Sequence, residues 1–247
     1  MTSVCPFTCG NVQPMRVFAL VLCALLPATA SAADRIEALY DIAIRGFRVG
    51  ELRLTSEEAS GRYSVAAAVD STGAVGFFRP FSYRARSWGA VRDGLPAPDR
   101  YTETADTGRR QSEAELAYDG GVPTVVRYGS PRPPGADSPD PRTQGGTVDP
   151  LSGIWAVLRG PSVCGRTLVV FDGARRSHVR LGAASSVDGG VGCTGEYRRL
   201  KGFTADELSR HVAFPMTVIY APDAEGVMRA RRVEVQSVYG LATVDRR

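Results

Sequence analysis

Val212-Ala213-Phe214-Pro215-Met216-Thr217-Val218-Ile219-Tyr220 carries a large apolar side chain at every second position. Val212, Phe214, Met216, Val218 and Tyr220 therefore share one face of an extended chain, because successive side chains of a strand point to opposite faces. Just ahead of it, Thr204-Ala205-Asp206-Glu207 matches a capping box, and Phe203 with Leu208 matches its hydrophobic staple. That pair of signals predicts a single helical turn or a structured loop. Just behind it, Ala221 to Gly226 turn the chain into the last strand, through Val233 and Val235 to Tyr239.

The same period of two recurs upstream. Tyr40, Ile42 and Ile44 share one face, and Gly46 and Gly50 bracket the turn into Leu52 and Leu54. Tyr63, Val65, Ala67 and Val69 share the face of the next strand, and Phe81, Tyr83 and Ala85 that of another. Ala114, Leu116 and Tyr118 run into Asp119-Gly120-Gly121, a hairpin turn, and Val125, Val126 and Tyr128 return. Pro123 near the start of that return strand fits a sheet edge, where a missing N–H is tolerated. Leu168 and Val170 lead to the Asp172-Gly173 turn, Val179 and Leu181 return, and Cys193 to Leu200 reads as a further strand with Tyr197 inward.

Two segments break the pattern. Residues 129–147 hold Pro131, Pro133, Pro134, Pro139 and Pro141 among Gly, Ser and Asp, with no apolar repeat, and read as a mobile loop or linker. After them comes a helix: Asp149 can cap it, Pro150 suits its first position, and Leu151, Ile154, Trp155 and Leu158 recur at helical spacing. Gly160-Pro161 ends it. Roughly ten to fourteen strands and one short helix give a mostly β fold: a curved antiparallel sheet forming an incomplete barrel or barrel-like sandwich, with the helix covering one opening.

The first 32 residues read as a signal peptide. Met15-Arg16 precede the apolar run Val17 to Leu26, and Pro27-Ala28-Thr29-Ala30-Ser31-Ala32-Ala33 supplies an A-x-A site. Met15 is the better start of the leader, cleavage is expected near Ala32/Ala33, and the location is periplasmic. Residues 33–247 then form a single β-rich periplasmic domain with no later stretch apolar enough to span a membrane. Its positive charge is almost all arginine, Lys201 being the only lysine, and Arg alternates with acidic residues along the chain. Nucleic acid is excluded as a partner, since it calls for a basic stripe with interleaved aromatics.

Export also fixes the cysteine chemistry. Cys5, Cys9 and Cys23 leave with the leader, and Cys164 with Cys193 remain as an even pair in an oxidising compartment. They are expected to form a structural disulfide, because their spacing lacks the C-x-x-C geometry of a redox pair.

Signals for catalysis are weak. His178 and His211 are the only histidines, and no G-x-S-x-G presents a nucleophile. Two histidines and an oxidised cysteine pair do not make a zinc site, so no metal, cofactor or catalytic residue is expected. Glu57-Glu58 and Asp206-Glu207 are local surface pairs of carboxylates. The apolar run Gly76-Phe77-Phe78-Arg79-Pro80-Phe81 is unusual for a turn region; Phe77, Phe78, Phe81 and Trp88 form the candidate surface for a ligand or partner.

Tyr40 with the Gly46 and Gly50 turn, Tyr118-Asp119-Gly120, Asp149-Pro150-Leu151-Ser152 and Phe171-Asp172-Gly173 together resemble domain-of-unknown-function family 3108, a set of exported bacterial envelope proteins. The resemblance covers nearly all of residues 33–247. It implies an exported, sheet-rich, barrel-like domain with no agreed activity and no established catalytic residues. The expected function is a non-catalytic binding module for cell-envelope upkeep, with an envelope protein or an apolar ligand as partner. The alternative is a carrier of lipid or lipoprotein acyl chains in the concave face, with a cavity lined by residues such as Phe81, Leu116, Phe214 and Val218. A cryptic hydrolase is the second alternative.

Overall fold

The computed structural model describes residues 2, 33–73, 76, 80–129, 135 and 137–247. Apart from Thr2, the expected leader lies outside the described residues; so do Phe77 and Phe78 and residues 130–134 and 136 of the Pro-rich stretch.

The hairpin signals build one antiparallel sheet. Its first seven strands are β1 (Asp34–Ile44), β2 (Phe47–Ala59), β3 (Arg62–Ser71), β4 (Ser82–Arg92), β5 (Leu95–Asp106), β6 (Gln111–Asp119) and β7 (Val122–Gly129). Helix α1 (Pro150–Arg159) follows, then β8 (Thr167–Phe171), β9 (Arg176–Leu181), β10 (Ser185–Val187), β11 (Gly190–Lys201), helix α2 (Ala205–Arg210), β12 (Ala213–Pro222), β13 (Met228–Ser237) and β14 (Gly240–Arg246). Their order is β7-β6-β5-β4-β3-β2-β1-β14-β13-β12-β11-β9-β8, with β10 paired to β11. Nearly every neighbour is a local hairpin partner. The exception joins the first strand to the last, with Tyr40 opposite Arg246 and Ile44 opposite Ala242.

β7 and β8 are the two edges of the sheet, which curves without closing. The segment ahead of α1 lies against them: Gly146 N–H donates to Gly121 O at 3.0 Å, and Val148 forms a parallel bridge with Val170. Thus the Pro-rich stretch is no simple linker. Its last part contains a 3₁₀ turn at Pro141–Thr143 capped by Asp140, and Gln144 and Thr147 are buried. Pro123 does sit in an edge strand, as its missing N–H requires. A strand beyond Tyr239, β14, was not expected: its alternation is weak, and its place is fixed by β1 and β13 on either side.

The inward positions make the core. In β12, Phe214, Met216, Val218 and Tyr220 are all buried, while Pro215 is exposed. Helix α1 packs against β3, β4, β5, β8 and β13. Its Trp155 ring stacks on Tyr63 at 4.5 Å and 12°, and the indole N–H donates to Ser56 Oγ at 3.0 Å. Its last residue, Arg159, pairs with Glu58 at 2.6 Å and donates to Gly94 O at 3.2 Å, while Arg229 donates to Arg159 O at 2.9 Å. These bonds tie up the end of the barrel that carries the β2–β3 and β4–β5 turns. After α1, the Cys164–Cys193 disulfide (Cα–Cα 5.9 Å) fastens the chain to β11. Helix α2 forms at the expected capping box, with both reciprocal bonds between Thr204 and Glu207 in place.

Candidate functional site

The alternation that makes the core also leaves a cavity. Between α1 and the concave face of the sheet is a space of about 570 Å³. Its sheet wall includes Ile42, Leu52, Val69, Met216, Val233 and Val244, consecutive inward residues of β1, β2, β3, β12, β13 and β14. Its helix wall includes Gly153, Ile154 and Val157. Ile154, one of the four residues that set the helical periodicity, is 42% exposed because it faces this cavity and not a neighbouring side chain. The volume is within the range of ligand pockets, and the lining is largely aliphatic, as such pockets are.

The cavity lies toward the end of the barrel with the β1–β2, β3–β4 and β13–β14 tips, opposite the end tied by Arg159. That end carries exposed apolar side chains: Phe47 is 76% exposed, Tyr239 69% and Phe81 39%. The tips are held side by side, Arg45 N–H donating to Leu241 O at 2.8 Å and Ser71 N–H to Phe81 O at 2.9 Å.

Polar groups line one corner, at the β8–β9 turn. Asp172, Arg175 and Ser177 meet the cavity there, and Tyr83 and Tyr197 also line it, Tyr197 on β11 opposite Val179 of β9. Asp172 holds the turn by accepting from Ala174 N–H at 2.9 Å and Arg175 N–H at 2.7 Å. Burial raises its pKa above the ordinary value, against those two hydrogen bonds and the Arg175 charge. The Arg175 guanidinium lies 5.1 Å from the Phe203 ring centroid, and Arg199 lies over the same ring at 5.3 Å.

Beneath the cavity is a second, dry polar group. Asp149, fully buried, accepts from Ser152 N–H at 2.9 Å, Ser152 Oγ at 2.6 Å and Ser87 Oγ at 2.8 Å. Tyr63 OH bonds Ser152 Oγ at 2.6 Å. Burial pushes the Asp149 carboxyl up to about 6, against the hydrogen bonds that favour its charge. Nearby, Tyr83 OH and Tyr101 OH are 2.9 Å apart and Tyr101 OH donates to Glu103, whose pKa burial also raises. The Asp149 and Ser152 bonds join the start of α1 to β3 and β4 and serve to place the helix, while the Tyr83–Tyr101 bond ties β4 to β5.

The sequence-based site is only partly assembled. Phe81 is at the apolar end, but Trp88 (37% exposed) is on the outer face, in a groove with Arg35, Ser64 and Arg86. Leu116, Phe214 and Val218 are buried as inward residues, yet none of them, nor Phe81, lines the cavity. His178 faces Glu196 on the surface side of β9 at 3.6 Å, and His211 ends α2 with its ring 5.8 Å from Phe214. The carboxylate pairs are split among local partners: Glu57 with Arg35, Glu58 with Arg159, Asp206 with Arg210, and Glu207 with Thr204. Among the described residues, no group of three or more His, Cys, Asp or Glu side chains is placed to hold a metal ion, and no helix is long and apolar enough to cross a membrane. Asp172, Arg175 and Ser177 are the residues that reading the sequence missed as a site. Their signal was a charged turn feeding the inward positions Ser177, Val179 and Leu181.

Residues 39–188 match the family described as Protein of unknown function (DUF3108). The match takes in α1 and the polar corner and stops short of β11 to β14. A crystal structure of a β-barrel-like protein of domain of unknown function DUF1849 from Brucella abortus is similar in fold at 11% identity, over 85% of this chain and 94% of that one, with a TM-score of 0.46. No curated protein matches.

Proposed function

The chain belongs to the DUF3108 family, whose match covers more than half of its residues, and from that premise we propose that it is an exported, non-catalytic binding module of the cell envelope that holds an apolar ligand, such as an acyl chain, in the concave face of its sheet. The observation that carries this reading is the cavity of about 570 Å³ between α1 and the sheet, with aliphatic walls. Burying a ligand's apolar surface there contributes roughly 25 cal/mol per Å² removed from water. The exposed Phe47, Phe81 and Tyr239 at the same end give such a ligand an apolar approach. A periplasmic location is supported by the charged and apolar parts of the leader and by a disulfide that suits an oxidising compartment. The non-catalytic reading is supported by the separate placement of His178 and His211, each engaged with local neighbours.

The test is native mass spectrometry of the protein purified from its own envelope without detergent, beside an Ile154→Trp variant. Ile154 faces the cavity, so the larger ring occupies ligand space without displacing core. A reproducible added mass of an acyl compound, lost in the variant, is the expected result. A clean unliganded mass for the wild type, or an added mass that the variant retains, would sink the cavity reading and return the search to a protein partner at Phe81 or Trp88.

A further inference from the structure

The cavity reading leaves the other end of the ligand open, and the polar corner bears on it. An apolar cavity with all its charge at one place selects an amphiphile, with its head at that place and its tail along the aliphatic wall. The sign of the head follows from how the two charges there are already engaged. Asp172 is committed to its own turn through Ala174 N–H and Arg175 N–H. Arg175 is less committed. Among the described residues its side chain has one ion pair, to Glu207 Oε1 at 3.4 Å. Glu207 is itself occupied by the capping box, accepting from Thr204 N–H at 2.8 Å. The Phe203 face steadies the Arg175 guanidinium without consuming its hydrogen-bond donors. Arg199, over the same ring at 5.3 Å, is a second positive charge on Phe203. Ser177 lines the same corner, and among the described residues Arg175 is the only cation in the cavity wall.

We propose that the ligand is a single-chain amphiphile with an anionic carboxylate head, bound with its carboxylate on Arg175 and Ser177 and its chain along Val179, Val170 and Ile154. This rests on the cavity reading and adds to it a head-group class. A guanidinium suits the part, because its planar fork matches a carboxylate in two parallel hydrogen bonds.

The test is isothermal titration of the purified protein with three probes of one chain length: dodecanoate, its methyl ester and dodecyltrimethylammonium, all below micellar concentration. Dodecanoate is expected to bind at least roughly tenfold tighter than the ester, since a hydrogen-bonded charge pair contributes on that scale. Arg175→Leu should abolish the preference for dodecanoate over the ester, while Arg175→Lys should keep part of it. Measurable binding of the ester by Arg175→Leu shows that the cavity is intact in the variant. Equal binding of dodecanoate and ester by the wild type overturns the head-group assignment and leaves the cavity reading standing. So does a preference that survives Arg175→Leu, or tightest binding of the ammonium probe, which would assign selection to Asp172. Binding of none of the three overturns both.

Discussion

Asp149 joins α1 to β4 through a side chain from which water is excluded, accepting from the Ser152 amide, the Ser152 hydroxyl and the Ser87 hydroxyl. As a cap it satisfies a helix N–H that would otherwise be orphaned, an effect of about 1 kcal/mol. As a buried charge it works against the fold, and its pKa records the conflict, rising from 3.8 to about 6. A group that holds its proton more tightly when folded contributes stability that is fully present below its unfolded pKa and is lost as the pH rises through the folded value. Asp149 therefore favours the fold below about pH 3.8 and ceases to do so above about pH 6, a swing on the order of 3 kcal/mol. Glu103 and Asp172 shift the same way, so the wild-type profile alone does not isolate Asp149. Asp149→Asn does, since the amide oxygen still accepts from the Ser152 N–H and carries no charge. In urea unfolding between pH 4 and pH 7.5, the variant is expected to gain on the wild type as the pH rises. Parallel profiles for the two proteins would show that Asp149 stays ionised throughout.

The segment that leaves helix α1 is fastened to β11 by Cys164 and Cys193, 29 residues apart. Cross-linking a loop of that length removes unfolded-state entropy equivalent to roughly 3.5 kcal/mol. The double variant Cys164→Ser/Cys193→Ser should lose a few kcal/mol in urea unfolding and melt lower, and reduction of the wild type should reproduce the loss. A melting temperature that does not move on reduction would contradict this. Elements of this kind were the legible part of the chain. The alternation of β12, the Asp149 and Pro150 start of α1 and the Thr204 capping box are local chemistry, complete within a few residues, and each appears where its residues stand. The cavity was not legible, because a face and a row are different things. Period two puts Met216 and Val218 on the same face of β12, but only the curvature of the sheet and the position of α1 decide that Met216 meets the cavity while Val218 is packed in core. Leu116 and Phe214 fail as cavity residues for the same reason. Trp88 is a different case: Phe81, Tyr83 and Ala85 share a face, so an even-numbered position on β4 belongs to the opposite one, and the pattern itself argued against grouping them.

Across the whole molecule, the chain leaves the centre of the sheet in two directions. β1 to β7 run outward as a meander of hairpins, the chain crosses through α1, and β8 to β14 work back until β14 meets β1. Every ladder except that one is between strands close in sequence, and closing a long loop costs entropy that the final contacts must offset. The β1–β14 ladder, though at the centre of the folded sheet, is therefore expected to form last. Its formation also sets the curvature, for Ile42 and Val244 face each other across it and both line the cavity. Pulse-labelling hydrogen exchange during refolding, with the disulfide intact, reads this order. Amides of β3 to β6 should gain protection in an early phase, and those of Tyr40 to Ile44 facing β14 in the last, together with the capacity to bind the apolar ligand. Protection of the β1–β14 ladder as early as that of β4 and β5 would mean that the first and last strands meet in the nucleus. The cavity would then be shaped before the hairpins beside it, and not as the consequence of their closure.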